Sequence, residues 1–176
     1  MKWVSSTSKW TPSADNDTDT TYTAGRGIDL NGTTFRLGLD GVRTRRTTTQ
    51  SLTNATLTAI QFGVEDYDTA TYHDNSTNNT RLTVPQAGKY LISGCIEFAA
   101  NATGVRTCGI RLNGSTYVAS QGSSSMGSVL TTVVNVTTVL DLAASDYVEL
   151  IGYQSSGGAL NVQGSQMTNF SATWLV

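Results

Sequence analysis

Charge is the scarcest property of this chain. Only 14% of its residues are Asp, Glu, Lys or Arg, against roughly 25% in ordinary soluble domains. With a net charge of -2 and a pI of about 5.2, it exerts no global attraction on nucleic acid or on an anionic membrane. A single histidine, His73, excludes a His-rich metal site. Two cysteines, Cys95 and Cys108, permit one disulfide or none. They flank a hairpin-like turn near Asn101 to Gly104, so a facing pair and two free thiols both stand as readings. No apolar run approaches the roughly 18 to 20 residues that span a bilayer, so membrane insertion is not expected. The opening Met1-Lys2-Trp3-Val4-Ser5-Ser6 has no apolar signal-peptide core, and no export is expected.

What replaces charge is Thr, Ser, Asn and Gly, with 17 Gly and only 2 Pro. Thr and the other β-branched residues suit strands, and Gly, Asn and Ser suit the turns between them. No segment is dominated by strong helix formers. The fold expected is therefore all-β.

Residues 1–24 are polar and irregular, too poor in apolar side chains to fold alone. Trp3 and Trp10 stand out within them, because indoles are seldom left in water without a partner. One reading is an extended arm that anchors by its two Trp on a neighbouring protein; the other is a disordered leader. Over residues 25–41, Ile28 and Leu30, then Phe35, Leu37 and Leu39, alternate with polar positions around Asn31-Gly32. That is the pattern of a short β-hairpin. Gly25-Arg26-Gly27 has neither the following helix nor the spacing of a nucleotide-binding loop.

From 42 to 176 strand follows strand. Ala59 to Val64, Thr80 to Val84, Lys89 to Ala99, Val105 to Leu112, Val129 to Leu142 and Tyr147 to Tyr153 read as strands. Pro85-Gln86-Ala87-Gly88, Asn113-Gly114 and Ala143 to Asp146 read as turns. Gly122 to Gly127 reads as a flexible loop or strand edge, and Ser155 to Gly158 as a loop. Spacing of this kind indicates a sandwich or jelly roll and not a βαβ fold.

Candidate chemistry is sparse. His73 stands beside Asp74, but no Gly-x-Ser-x-Gly elbow surrounds any serine, and a hydrogen-bonding role suits it better than catalysis. Glu65, Asp66 and Asp68 supply oxygens of the kind calcium takes, without EF-hand spacing. Glu97 and Glu149 lie within strands, and nothing in the sequence makes them converge as a glycosidase pair must. Arg43, Arg45 and Arg46 form the one basic cluster, read as a solvated face or an inter-subunit ion-pair site, with phosphate or acidic-glycan contact as the alternative. No catalytic residue, cofactor or metal is assigned.

A colinear series from residue 50 to the C-terminus carries a resemblance. It includes Gln50-Ser51-Leu52, Thr58 to Phe62, Glu65-Asp66-Tyr67-Asp68, His73-Asp74, Arg81 to Pro85 and Ala87-Gly88-Lys89-Tyr90. It continues through Ile110-Arg111-Leu112-Asn113-Gly114, Val139 to Leu150 and Phe170-Ser171. In this series the chain resembles the jelly-roll superfamily of the complement globular head and tumour necrosis factor. It is similar above all to the version that forms the terminal domain of phage fibre and virion proteins.

The resemblance implies an antiparallel jelly-roll head over 42–176, preceded by the arm and hairpin. It also implies a homotrimer that binds ligands without covalent chemistry. The collagen-like stalk of the complement proteins is absent. The expectation is a non-enzymatic phage surface protein, assembled in the bacterial cytoplasm and carried on the virion. Its partners would be other capsid or tail proteins and a host-surface glycan or protein. A head fibre or attachment protein leads, and a capsid decoration protein at three-fold positions is the alternative. Ser123, Ser124, Ser125, Gln154, Ser155 and Ser156 are the candidate ligand-facing loop residues, since binding commonly sits on loops held by a rigid β scaffold.

Overall fold

The computed structural model describes residues 40–176 and, ahead of them, the backbone of four short strands. These are β1 (Lys2–Val4), β2 (Lys9–Thr11), β3 (Ile28–Asn31) and β4 (Thr34–Leu37). The chain divides into two compact units, Met1–Gly38 and Leu39–Val176. In the first unit β1 pairs antiparallel with β2, Trp3 opposite Trp10. β3 pairs with β4, Leu30 opposite Phe35, where the alternation predicts a hairpin. The side chains of Trp3 and Trp10, and with them the anchoring contacts expected of these residues, lie outside the described residues.

The second unit begins with β5 (Gly41–Arg45), β6 (Gln50–Leu52), β7 (Thr58–Ala59) and β8 (Val64–Asp68). Then come β9 (Arg81–Thr83), β10 (Gly88–Phe98), β11 (Val105–Leu112) and β12 (Thr116–Ser124). The last four are β13 (Thr132–Leu142), β14 (Tyr147–Gln154), β15 (Leu160–Val162) and β16 (Asn169–Trp174). They form two antiparallel sheets, one of seven strands and one of five. No helix occurs among the described residues.

β10 is the axis of the seven-stranded sheet. Along one side it pairs with β13 over its whole length, from Gly88 opposite Leu142 to Phe98 opposite Thr132. Along the other side it pairs with β16, then with β15 at Phe98. β5 and β8 extend the sheet beyond β16, and β6 extends it beyond β15. In the second sheet β11 lies between β12 and β14, and β14 also pairs with β7 and β9.

Side chains alternate across a strand, so every second residue of β10 faces inward. Tyr90, Ile92, Ile96 and Phe98 are fully buried. With Val134, Val136, Phe170 and Val42 from the same sheet they meet Cys108, Ile110, Val148 and Leu150 from the other. Gly94 leaves room for the facing sheet: a Cβ there would strike the Leu150 side chain. The Cys108 thiol also meets the Gly94 carbonyl at 4.0 Å.

Three details differ from the sequence reading. Ala59 to Val64 is not one strand, because Ile60 to Gly63 carries the chain from β7 in one sheet to β8 in the other. Val129 and Leu130 precede β13 and belong to the connection from β12, with Val129 86% exposed. The turn after Phe98 does not close a hairpin, since β10 and β11 belong to different sheets. Cys108 therefore points into the core while Cys95 lies on the outer face of its sheet, and both thiols are free.

Candidate functional site

The outer face of the seven-stranded sheet is unusual for its chemistry. The strand registers place Val139, Leu91 and Thr173 in one row, Thr137, Ser93 and Ser171 in the next, and Asn135, Cys95 and Asn169 in a third. Nine positions of a broad sheet face thus carry no charge. The Ser93 and Thr137 hydroxyls are 3.0 Å apart, and the Ser171 hydroxyl donates to the Ser93 carbonyl at 3.3 Å. Charge is kept to the perimeter: Lys89 and Asp141 lie opposite each other at one end, Glu97 at the other, and Arg43 and Arg45 on β5.

The flank is also an edge. β13 pairs with β10 alone among the described strands. Its eleven residues include one charge, Asp141, and neither Lys nor Pro. Long edge strands without such protection pair with other chains unless something covers them.

The candidate ligand-facing residues do come together at one end of the five-stranded sheet. Ser123 and Ser124 are the last residues of the edge strand β12 and belong to the ladder, not to a loop. They lie opposite Arg106 and Val105. Ser155 reaches the same point, accepting at its hydroxyl from the Val105 N–H at 3.0 Å. Most of these hydroxyls already donate within the chain: Ser123 to the Ser124 carbonyl, Ser125 to the Ala102 carbonyl, and Ser156 to the Gly158 carbonyl.

Gln154 is the clear correction. It is fully buried. Its amide donates to the carbonyls of Leu52 (3.1 Å) and Gly158 (2.9 Å), and its side-chain oxygen accepts from the Ser156 N–H (2.7 Å). It shapes the loop and does not face a ligand.

Arg106 beside it gave no sign in the sequence, since nothing distinguishes an arginine that will be buried. Its guanidinium, fully buried, donates to the carbonyls of Thr103 (3.0 Å), Val105 (3.0 Å) and Asn101 (3.3 Å), while its Nε has no hydrogen-bond partner. Burial pulls its pKa down. Replacing Arg106 with Met leaves the Asn101 and Thr103 carbonyls without this donor, at about 1–3 kcal/mol for each buried group left unsatisfied. The expected outcome is a lower urea midpoint and faster amide exchange across 101–105; an unchanged midpoint contradicts the assignment.

The remaining polar groups do not converge on a reaction centre. Of the basic cluster, Arg43 and Arg45 both pair with Asp66 of β8, Arg45 at 2.6 Å. Arg46 is buried and donates to Thr48, Thr49, Gln50 and Gln61. These are contacts within one chain, so the inter-subunit ion-pair reading is not needed for them.

The three carboxylates once candidates for calcium each take their own partners. Glu65 meets His73 and Asn75, Asp66 meets the two arginines, and Asp68 accepts from the backbone of Ala70, Tyr72 and His73. Among the described residues no group of His, Cys, Asp and Glu is arranged to hold a metal ion. The His73 ring lies between Glu65 Oε1 (3.0 Å) and the Asn79 carbonyl (3.2 Å). Glu97 is on the outer face of one sheet, and Glu149, held by Arg111 at 2.8 Å, on that of the other.

Asp74 closes the adjoining turn. Backbone N–H groups of Thr77 and Ser76, with the Ser76 hydroxyl, draw its pKa down to about 2. A depressed carboxylate supports the turn above its ordinary value and loses that support as pH falls through the folded one. The Ser76 and Thr77 amide resonances should therefore titrate with a midpoint near pH 2. A midpoint near 3.8, the ordinary value, means the turn is not formed in solution.

With this geometry in view, the fold can be compared with known ones. No protein-family model matches the sequence, and no curated protein is similar to it at the sequence level. Solved structures do match. The chain superposes on murine APRIL with a TM-score of 0.62 at 11% identity, over 78% of this chain and 100% of that one. The globular domain of zebrafish complement 1qA gives 0.57 at 11% identity, over 78% and 98%. Eiger TNF from S. frugiperda gives 0.54 at 11% identity, over 78% and 93%. The fold is therefore the antiparallel jelly roll shared by tumour-necrosis-factor-like proteins and complement globular heads.

Proposed function

We propose that this chain is a non-enzymatic, homotrimeric surface protein of a bacteriophage particle, a head fibre or attachment protein. In this reading its N-terminal residues anchor to the particle and its jelly roll faces outward. The observation that carries the trimer is the uncharged outer face of the seven-stranded sheet, bordered by the unprotected edge of β13. A face meant for water is expected to carry charge; one of Ser, Thr, Asn, Leu and Val suits a second copy of itself. Closed three-fold assembly covers the face and the edge together.

The attachment role draws on the resemblance to phage fibre heads. It draws also on the geometry left over once the copies meet, because the five-stranded sheet and its end loops lie on the other side of the sandwich. A decoration protein seated at three-fold positions of the capsid is the second reading. It uses the same N-terminal residues, which form a unit of their own, as the anchor.

The test uses the full chain with Trp3→Ala and Trp10→Ala together. The reading expects a variant that still forms trimers but no longer joins particles, and a wild-type trimer that adsorbs to cells and blocks infection. Trimers that join particles yet bind no cell favour decoration. Incorporation unaffected by the double substitution removes the anchoring role of the two indoles.

A further inference from the structure

We infer that the ligand contact of the head lies in a groove on the outer face of the five-stranded sheet, and that it takes a single neutral sugar ring. This rests on the attachment reading and names the chemistry of its site. The groove, about 270 Å³, is lined by Leu57, Thr107, Gly109, Tyr117, Ser120, Ile151 and Tyr153. Its floor follows from the registers: Gly109 stands between Ser120 on β12 and Ile151 on β14, and Thr107 next to it stands between Gly122 and Tyr153. Because the middle strand contributes a glycine there, no side chain fills the space between the two tyrosines.

A β-bulge aims one wall. The β11–β12 register shifts between Ile110 and Arg111, so that Ile110 faces Ala119 but Arg111 faces Tyr117. Regular pairing would have set Val118 opposite Arg111 on the outer face. Instead Val118 packs against the core, and Tyr117 takes the outer position, 43% exposed. Its ring carbon Cδ1 lies 3.7 Å from where a Gly109 Cβ would be. Bulges recur beside binding sites because they re-aim a side chain in this way.

The lining selects the ligand. Two tyrosine rings, Ile151 and Leu57 offer apolar planes, while Thr107, Ser120 and the Tyr153 phenol supply hydroxyls; the Tyr117 phenol is engaged by the Arg111 guanidinium. A pyranose has the same division, with C–H groups on its faces and hydroxyls around its edge, and tyrosine suits such amphipathic contacts. No carboxylate, ammonium or guanidinium lines the groove. Arg111, whose guanidinium reaches the Tyr117 phenol, has its charge answered by Glu149 at 2.8 Å, so a neutral ring is favoured over an acidic one. The volume falls just under the usual range for drug-sized ligands, which suits one ring at a time. The hydroxyls of Ser123, at the end of β12, and of Ser125 and Ser156 in the adjoining loops are engaged within the chain, and this moves the contact inward to the middle of the sheet.

The experiment measures saturation transfer from the full-length protein to methyl glycosides of glucose, galactose, mannose and N-acetylglucosamine, with methyl glucuronide as the acidic comparison. Concentrations bracket roughly millimolar Kd, the range for one small ring. At least one neutral glycoside should receive saturation, more strongly than the glucuronide. Gly109→Val, which fills the floor, and Tyr153→Ala, which removes a wall, should each weaken binding by roughly tenfold or more, about 1.4 kcal/mol. Asn161→Ala, on the other sheet, should not.

No transfer to any neutral glycoside, or binding that both groove variants leave intact, overturns the inference. Adsorption of the trimer to a panel of bacterial strains separates this from failure of the attachment reading. Adsorption that periodate treatment of the cells abolishes supports a sugar. Adsorption that survives periodate but not proteolysis of the cells overturns the sugar class and keeps attachment. Absence of both adsorption and transfer overturns the two together.

Discussion

Phe170→Ala is expected to lower the unfolding free energy by about 3–5 kcal/mol, the usual result of emptying an aromatic site in a well-packed core. Phe170 is fully buried on β16, the strand between β10 and β5. Its ring stacks on Phe62, centroids 5.9 Å apart at 24°. Phe62 belongs to the segment that crosses between the sheets, so the pair ties that crossing to the centre of the sandwich. The Phe170 carbonyl also accepts from the buried Thr44 hydroxyl at 3.2 Å. Phe170→Leu keeps most of the volume and should lose less than half as much. The measurement is the urea midpoint at constant slope, at fixed protein concentration because assembly adds to apparent stability. A loss below about 1 kcal/mol for the alanine variant, too small for a buried aromatic, contradicts a core that unfolds as one unit.

The second large effect is on assembly. Thr137 stands in the middle row of the uncharged face, on its edge strand β13, its hydroxyl 3.0 Å from that of Ser93, and its side chain is exposed in the single chain. Thr137→Arg puts one guanidinium per copy into the proposed contact, where an unpaired buried ion costs several kcal/mol. Sedimentation should show the mass falling from that of three chains to that of one, with the circular dichroism unchanged. Cys95 reports the same event. It lies in the adjoining row, with a thiol pKa raised by burial and then by Glu97, and it should react with iodoacetamide faster in the variant than in wild type. Cys108, buried more deeply and raised further, should stay unreactive in both. A wild-type chain that sediments as one copy at micromolar concentration overturns the trimer.

The sheet order rests on signals that are short and local. Asn113-Gly114 turned the chain where expected, both residues taking a left-handed backbone (φ 49° and 71°) that Asn and Gly tolerate. The alternation of Tyr90, Ile92, Ile96 and Phe98 marked the buried side of β10 correctly. The errors have one cause. An apolar run reads the same whether it stays in a sheet or crosses between two, so Ile60 to Gly63 and Val129-Leu130 carry a strand pattern without being strand. Cys95 and Cys108 looked like hairpin neighbours for the same reason: a turn does not announce whether it joins strands of one sheet or of two.

The candidate site was less legible. Gln154 adjoins a Ser-Gly loop in the sequence, yet its amide serves that loop from beneath. The groove depends on a one-residue shift opposite Arg111, and no periodicity encodes which of Tyr117 and Val118 will face outward. The uncharged face was half visible: the Thr and Val content of β13 stands in the sequence, but the matching uncharged residues on β10 and β16 appear only once the registers are known.

The two buried arginines bear on how the fold meets acid. Arg46 and Arg106 are answered only by carbonyls and a Gln amide oxygen, and neither kind of oxygen takes up a proton in any habitable medium. Arg43, Arg45 and Arg111 lean on carboxylates instead, whereas these two clamps hold no group that acid can protonate. The 46–50 and 101–105 segments are thus fastened by bonds that a fall in pH leaves untouched.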